Sequence, residues 1–221
     1  MSKITSLRIG KQRKKRVNVF LDDSFAFSLE AEVAIKEGLQ VGQELSASQI
    51  EVLAESDYFN LCLNAATQYL GYRPRSEFEI RERLQRRGFN ESTVSAVIAK
   101  LKEQGLVDDS AFARFWQENR DSFNPRSRWL TKLELRQKGV TDGIIDQVVS
   151  ATDDSDSAYR AALSKACHLS RSDYQDFRYR LGQYLKRRGF GYGIINRTVE
   201  RLWEEQEIAP DSLVLNTETK R

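Results

Sequence analysis

One short motif, returning at nearly constant spacing, constrains this chain more than any single residue does. Leu, two residues, a basic residue, Gly and an apolar residue occur at Leu84 to Phe89, Leu135 to Val140 and Leu185 to Phe190, so the glycines at 88, 139 and 189 stand 51 and 50 residues apart. Alignment on these glycines brings further positions into step. Val94 and Ile98 match Ile145 and Val149, and then Ile195 and Val199. An aromatic residue precedes each glycine by ten, at Phe78, Trp129 and Tyr179. The first two copies also share Pro74-Arg75-Ser76 and Pro125-Arg126-Ser127. Agreement at so many positions marks an internal repeat of about 50 residues.

Each copy reads as three helices. In the first copy, Ser76 and Glu79 have the spacing of a capping box, Ile80 and Leu84 lie one turn apart, and Gly88 suits the left-handed residue that ends a helix. Asn90 can cap the next helix, whose Val94, Val97, Ile98 and Leu101 form one apolar stripe ending near Gly105. Asp108 and Asp109 open the second copy, with Phe112, Phe115, Trp116 and Asn119 expected on its inner face; its third-copy counterpart starts near Asp156, and the first-copy counterpart runs from Ser48 to about Leu70. A unit of this size cannot bury its apolar faces alone, so the copies should stack. The expected fold is all-α: three tandem three-helix repeats in an elongated curved array, occupying residues 46–105, 106–152 and 153–206.

The ends differ. Residues 3–9 and 16–29 carry Val, Ile, Phe and Leu in partial alternation, divided by a Lys/Arg run at 11–16 and by Asp22-Asp23-Ser24, a hairpin-turn sequence. They predict a small two- or three-stranded antiparallel piece within residues 1–45, with Gly38 and Gly42 marking the exit toward the first long helix. After Glu207 the chain turns polar around Pro210, and residues 207–221 read as a disordered tail.

Chemistry finds little support. His168 is the sole histidine and has no nucleophile motif beside it, so it reads as a helix-surface residue. Phosphate-cradling and dinucleotide-binding glycine patterns are absent, and Gly189, Gly191 and Gly193 read as a turn. The acid pairs at 22–23, 108–109 and 153–154 sit where carboxylates cap helices or make turns. No catalytic residue, metal or cofactor is assigned. Cys62 and Cys167, far apart in apolar stretches, read as buried thiols of a reducing cytoplasm. No stretch approaches a transmembrane span, and the chain reads as a cytoplasmic monomer with no membrane partner.

A net charge of +3 does not by itself argue for nucleic acid; clustering does. Arg81, Arg83, Arg86 and Arg87 crowd the end of the second helix in copy one, Arg136 and Lys138 in copy two, and Lys186, Arg187 and Arg188 in copy three. Arg75 and Arg126, each after a proline and before a cap serine, form another recurring pair, and Arg13, Lys14, Lys15 and Arg16 a further patch. Cations near a helix C-terminus favour the macrodipole and keep a surface solvated. In a regular stack they also form a periodic basic stripe, suited to a phosphate backbone or a repeating acidic protein surface. Trp116, Trp129 and Trp203 lie among apolar neighbours at helical spacing and are expected in the core.

Three segments together carry a family resemblance: Arg75-Ser-Glu-Phe-Glu-Ile-Arg-Glu-Arg-Leu84, Leu106-Val-Asp-Asp-Ser-Ala-Phe-Ala-Arg114 and Leu133-Glu-Leu-Arg-Gln-Lys-Gly-Val140. Over roughly residues 50–205 the chain resembles the RecX family of recombinase regulators. Membership would imply tandem three-helix units. It would also imply a protein that binds RecA recombinase in the groove of the RecA–DNA filament and blocks filament extension or promotes disassembly, suppressing ATP hydrolysis, strand exchange and coprotease activity and placing it in DNA repair, recombination and the SOS response. Contact with single- and double-stranded DNA would accompany this. The family has no fixed catalytic set, so the basic positions named above are read from this sequence alone. Two other readings stand beside it: a DNA-binding helical-repeat protein acting independently of RecA, and a general protein-interaction scaffold.

Overall fold

The computed structural model describes residues 1–10, 16–169 and 173–214, with side chains as far as Glu205. It divides into two compact units, Met1–Val107 and Asp108–Arg221.

The first unit opens with β1 (Ser2–Ile9), β2 (Arg16–Leu21) and β3 (Ser24–Glu30), followed by α1 (Ala31–Lys36) and β4 (Glu44–Leu45). The antiparallel sheet has the order β3-β2-β1-β4. It has four strands where the sequence predicts two or three. The added strand pairs only Leu45 with Ser2 and Glu44 with Lys3, too short a run to show alternation. Asp22 and Asp23 take φ of 48° and 66°, which gives the two-residue turn whose twist matches a hairpin. Asp22 Oδ1 accepts from the Lys3 amide at 3.1 Å and the Asp23 amide donates to Thr5 Oγ1 at 3.0 Å. Ile4, Val19, Leu29, Val33 and Leu45 make a core with Leu53 of α2 (Ala47–Leu70). Buried Asp57, also on α2, ties the two layers together: it accepts from Arg16 Nη2 at 2.9 Å and from the Glu30 amide at 2.6 Å. α3 (Glu77–Gln85) and α4 (Glu91–Glu103) complete the first repeat around Cys62, Ala66, Ile80, Leu84, Val94, Ile98 and Leu101.

The second unit holds the other two repeats: α5 (Asp109–Phe123), α6 (Arg128–Gln137) and α7 (Asp142–Val149), then α8 (Asp154–Ala166), α9 (Tyr174–Arg187) and α10 (Tyr192–Val214). In every repeat the three helices pack on one another pairwise. Asp108 and Asp153 cap α5 and α8 by accepting from the Ser110 and Ser155 amides, which accounts for two of the acid pairs. The inner face of α5 runs through Phe112, Ala113, Trp116 and Gln117, whereas Asn119 is exposed. The α10 backbone continues to Val214, beyond position 207 where the polar composition predicts an irregular tail; Glu207, Ala209 and Leu213 are good helix formers.

The repeated motif forms one structure three times. The amides of Phe89, Val140 and Phe190 donate to the carbonyls of Leu84, Leu135 and Leu185 at 3.3, 3.1 and 3.3 Å, across glycines whose φ is 88°, 75° and 84°. This is the six-to-one closure that satisfies the last carbonyls of a helix. It turns the leucine and the residue after the glycine into the same core.

Gly189 carries a second constraint. A Cβ placed there would lie 2.5 Å from Ser127 Oγ and 2.8 Å from Leu130 Cβ, while one at Gly88 would meet nothing within 4 Å. Here the end of α9 docks against the start of α6, where the Ser127 amide donates to the Arg188 carbonyl at 3.0 Å. Both Gly88→Ala and Gly189→Ala should cost about 1–2 kcal/mol for the left-handed backbone. Gly189→Ala should add roughly 1–3 kcal/mol for the overlap, as read from urea unfolding of each variant. Equal losses would mean that α6 does not dock on Gly189.

The cysteines part company. Cys62 is fully buried and Cys167 exposed, so the expectation of two buried thiols fails for Cys167. It follows Ala166 at the C-cap of α8, one residue off the buried stripe. Burial pushes the Cys62 thiol up to about 11. At about pH 8 a disulfide reagent should therefore modify one thiol promptly and the second only in denaturant, since the thiolate is the reactive form. Prompt reaction of both would contradict the packing of α2.

Candidate functional site

The second helix of each repeat presents the recurrent residues. Ser76, Ser127 and Asp173 cap α3, α6 and α9 by accepting from the amides of Glu79, Leu130 and Gln175. Ile80 and Leu84, Thr131 and Leu135, and Phe177, Leu181 and Leu185 face inward. The recurrent aromatic sits two residues before the first of these in repeats one and two, about 200° round the helix. It is accordingly exposed: Phe78 by 47%, Trp129 by 64% and Tyr179 by 68%. The assignment of Trp129 to the core is thus corrected. Trp116 and Trp203 are partly buried against Phe112 and Phe177, as expected.

The basic positions divide into those built into the fold and those left open. Arg75 stacks over Tyr69 at 4.0 Å. In the next repeat Arg126 instead bonds Glu134. Glu134 also accepts from Arg120 Nε at 2.8 Å and Trp116 Nε1 at 2.9 Å. Arg75 thus holds the entry of the second helix to the end of the first, while in repeat two Glu134 makes that tie by gathering Arg120 and Trp116 of α5 together with Arg126. Arg188 stacks over Tyr184 at 3.9 Å and donates to Asn124 Oδ1 at 2.8 Å, fastening α9 to the joint before α6. Burial and the neighbouring Arg120 and Arg188 draw the Arg126 guanidinium below its usual range. Lys138 lies over Trp116 at 5.4 Å.

Other cations bridge from the second helix to the third. Arg81 reaches Glu91, and donates to Ser95 Oγ at 3.0 Å and Glu77 at 3.0 Å. In repeat two Lys132 pairs with Asp146 at 2.6 Å and Arg136 with Asp142 at 2.6 Å. Hydrogen bonds from Ser95 and Gln85, then the charge of Arg81, hold Glu91 below the ordinary carboxylate range. Lys132 does the same for Asp146, and Asp142 raises Arg136. Arg86 pairs with Glu82 along α3 and remains largely exposed.

Arg87, Lys186 and Arg187 are exposed and form no ion pair among the described residues. Arg13, Lys14 and Lys15 lie outside the described residues, and Arg16 is occupied by Asp57. His168 is exposed, with Nδ1 2.7 Å from the Ser164 carbonyl. Among the described residues no cluster of three or more His, Cys, Asp or Glu could hold a metal, and no helix is long and apolar enough to cross a membrane.

Sequence reasoning passed over Arg178, Tyr192 and Asn196. Arg178 Nη2 donates to the Tyr192 hydroxyl at 3.4 Å. The Asn196 side chain, then Arg178, draws the Tyr192 phenol below its ordinary range. The signal was present in the repeat alignment, where Tyr192 and Asn196 occupy the places of Asp142 and Asp146.

Comparison with known proteins agrees with this organisation. Residues 2–46 match the regulatory protein RecX N-terminal domain, 62–101 the first RecX three-helix domain and 108–149 the second. The regulatory protein RecX of Clostridium botulinum (strain Eklund 17B) is 31% identical over 205 residues, covering 90% of this chain and 96% of its own. That of Clostridium perfringens (strain 13) is 31% identical over 207 residues, covering 91% and 97%. A crystal structure of regulatory protein RecX superposes with a TM-score of 0.67 at 26% identity, over 90% of this chain and all of that one. The RecX crystal structure from Lactobacillus salivarius gives 0.56 at 25% identity, over 66% and 97%. With three matching domains in order and relatives aligned end to end, the chain belongs to the RecX family of regulatory proteins.

Proposed function

We propose that this protein is a negative regulator of RecA recombinase that lies along the groove of the RecA–DNA filament and restrains its assembly, ATP hydrolysis, strand exchange and coprotease activity. The observation that carries the reading is the near full-length match to proteins named as RecX regulators. The repeats supply a physical route. Each offers an exposed second-helix face ending in cations, so one chain can touch successive protomers of a polymer, and linked contacts add affinity without a new kind of contact. Among the basic positions, Arg87, Lys186 and Arg187 form no ion pair among the described residues and are the ones open to serve. Arg75 and Arg126 are occupied within their own repeats, and Arg188 fastens the third repeat to the second.

The test is single-stranded-DNA-dependent ATP hydrolysis by the cognate RecA with this protein well below one copy per protomer. Strong inhibition is expected; no effect even at excess would overturn the reading in favour of a DNA-binding protein or scaffold that works without RecA. Reversal of Arg87, Lys186 and Arg187 to Glu should weaken inhibition at least tenfold while costing no more than about 1 kcal/mol of stability per position, the loss of a favourable charge at a helix C-terminus. Arg126→Ala should show the opposite pattern. Loss of a charged hydrogen bond to part-buried Glu134 costs about 1–3 kcal/mol, with inhibition retained in the folded protein.

A further inference from the structure

The three repeats share a groove between their second and third helices, and charge distinguishes them. In repeats one and two, carboxylates on the third helix meet the cations of the second: Glu91 binds Arg81, Asp142 binds Arg136 and Asp146 binds Lys132. In repeat three, the residues that replace Asp142 and Asp146 are Tyr192 and Asn196, both uncharged. Two cations are kept, because Arg178 and Lys186 stand where Arg128 and Arg136 stand in repeat two. Gly182 replaces Lys132, leaving the middle of the groove without a side chain. The result is an open trough of about 340 Å³ lined by Arg178, Tyr179, Gly182, Lys186, Tyr192 and Asn196 among others. No acidic residue lines it. Asp176, on α9, is paired with Arg180 at 2.9 Å. Glu200, on α10, bears on the Tyr192 phenol less than Asn196 and Arg178 do.

Two rings flank this trough, Tyr179 at 68% and Tyr192 at 74% exposure. Large rings this exposed, beside cations that have no acidic partner among the described residues, match what holds unpaired bases. Each base can stack on a ring while Arg and Lys meet its phosphates. An acidic peptide would use the cations and leave the rings without a role, and a duplex hides the faces of its bases.

We propose that the α9–α10 groove is a binding site for single-stranded DNA, with bases stacked on Tyr179 and Tyr192 and phosphates held by Arg178 and Lys186. The site belongs to the third repeat alone, since its counterpart in each other repeat is closed by ion pairs. It requires no recombinase and goes beyond the regulatory reading.

The experiment is fluorescence anisotropy of a labelled oligo-dT strand titrated with the full chain, without RecA, across a salt series. Tyr179→Ala and Tyr192→Ala should each weaken binding about tenfold, within the range found for loss of one stacked base. The double variant Tyr192→Asp, Asn196→Asp, which installs the repeat-two acids, should weaken it at least tenfold and flatten the salt dependence. Tyr72→Ala removes an 86% exposed ring elsewhere and should leave affinity within twofold. All four positions are surface sites, and circular dichroism checks that each variant is folded. Absence of oligo-dT binding, affinity untouched by the tyrosine variants, or equal affinity for duplex would each overturn the proposal. So would a poly-glutamate peptide competing as well as the strand. Because recombinase is absent, failure here leaves the RecA reading standing, and loss of RecA inhibition would leave this site standing.

Discussion

Everything in the helical part of this molecule hangs on one backbone hydrogen bond, made three times, from the amide after a left-handed glycine to a leucine carbonyl five residues earlier. The bond does more than satisfy a helix end. It reverses the chain so tightly that the leucine and the following apolar residue enter the same core, Leu84 with Phe89, Leu135 with Val140 and Leu185 with Phe190. The angle between second and third helices is thereby fixed in each repeat. The residues between leucine and glycine lie outside that core. Cations there gain from the helix dipole, so the basic clusters are first a consequence of the closure and only then available for recognition.

That order explains which residues stayed useful. A cation at the helix end can be drawn inward when the next element offers an acceptor or a ring, as Asn124 and Tyr184 do for Arg188. It remains open when nothing faces it, as at Arg87, Lys186 and Arg187. The repeat motif is identical at these places; their neighbours are not. A recurrence in sequence therefore identifies a recurrent backbone and does not by itself identify a recurrent surface.

The sequence disclosed the elements governed by local chemistry. Caps at Ser76, Asn90, Ser127, Asp108 and Asp153, the glycine closures and the apolar stripe of α4 all depend on residues within one or two turns, and the structure has them in place. What escaped depends on distant partners. Arg75 and Arg126 look like surface charges until Tyr69 and Glu134 are seen beside them. β4 is two residues long and exists because β1 has an open edge. Trp129 was misplaced for a different reason. Its size suggested core, whereas its position two residues before Thr131 on α6 puts it on the outer face; helical phase outweighs hydrophobicity.

Phase and charge also explain how three similar repeats can differ in function without differing in fold. Exposed ion pairs such as Arg136 with Asp142 contribute only about 0–1 kcal/mol to stability, so exchanging their acids for Tyr192 and Asn196 costs the fold little. The effect on the local field is much larger. Charges separated by more than about 8–10 Å are screened at physiological salt, so an approaching phosphate responds to the few groups lining one groove and not to the net charge of +3 on the whole chain. Replacing two carboxylates and one cation, Lys132, while keeping the other two cations leaves those two without a carboxylate among the residues lining their groove. A helical repeat can thus keep its closures and core unchanged while the outer edge of one copy becomes a different surface.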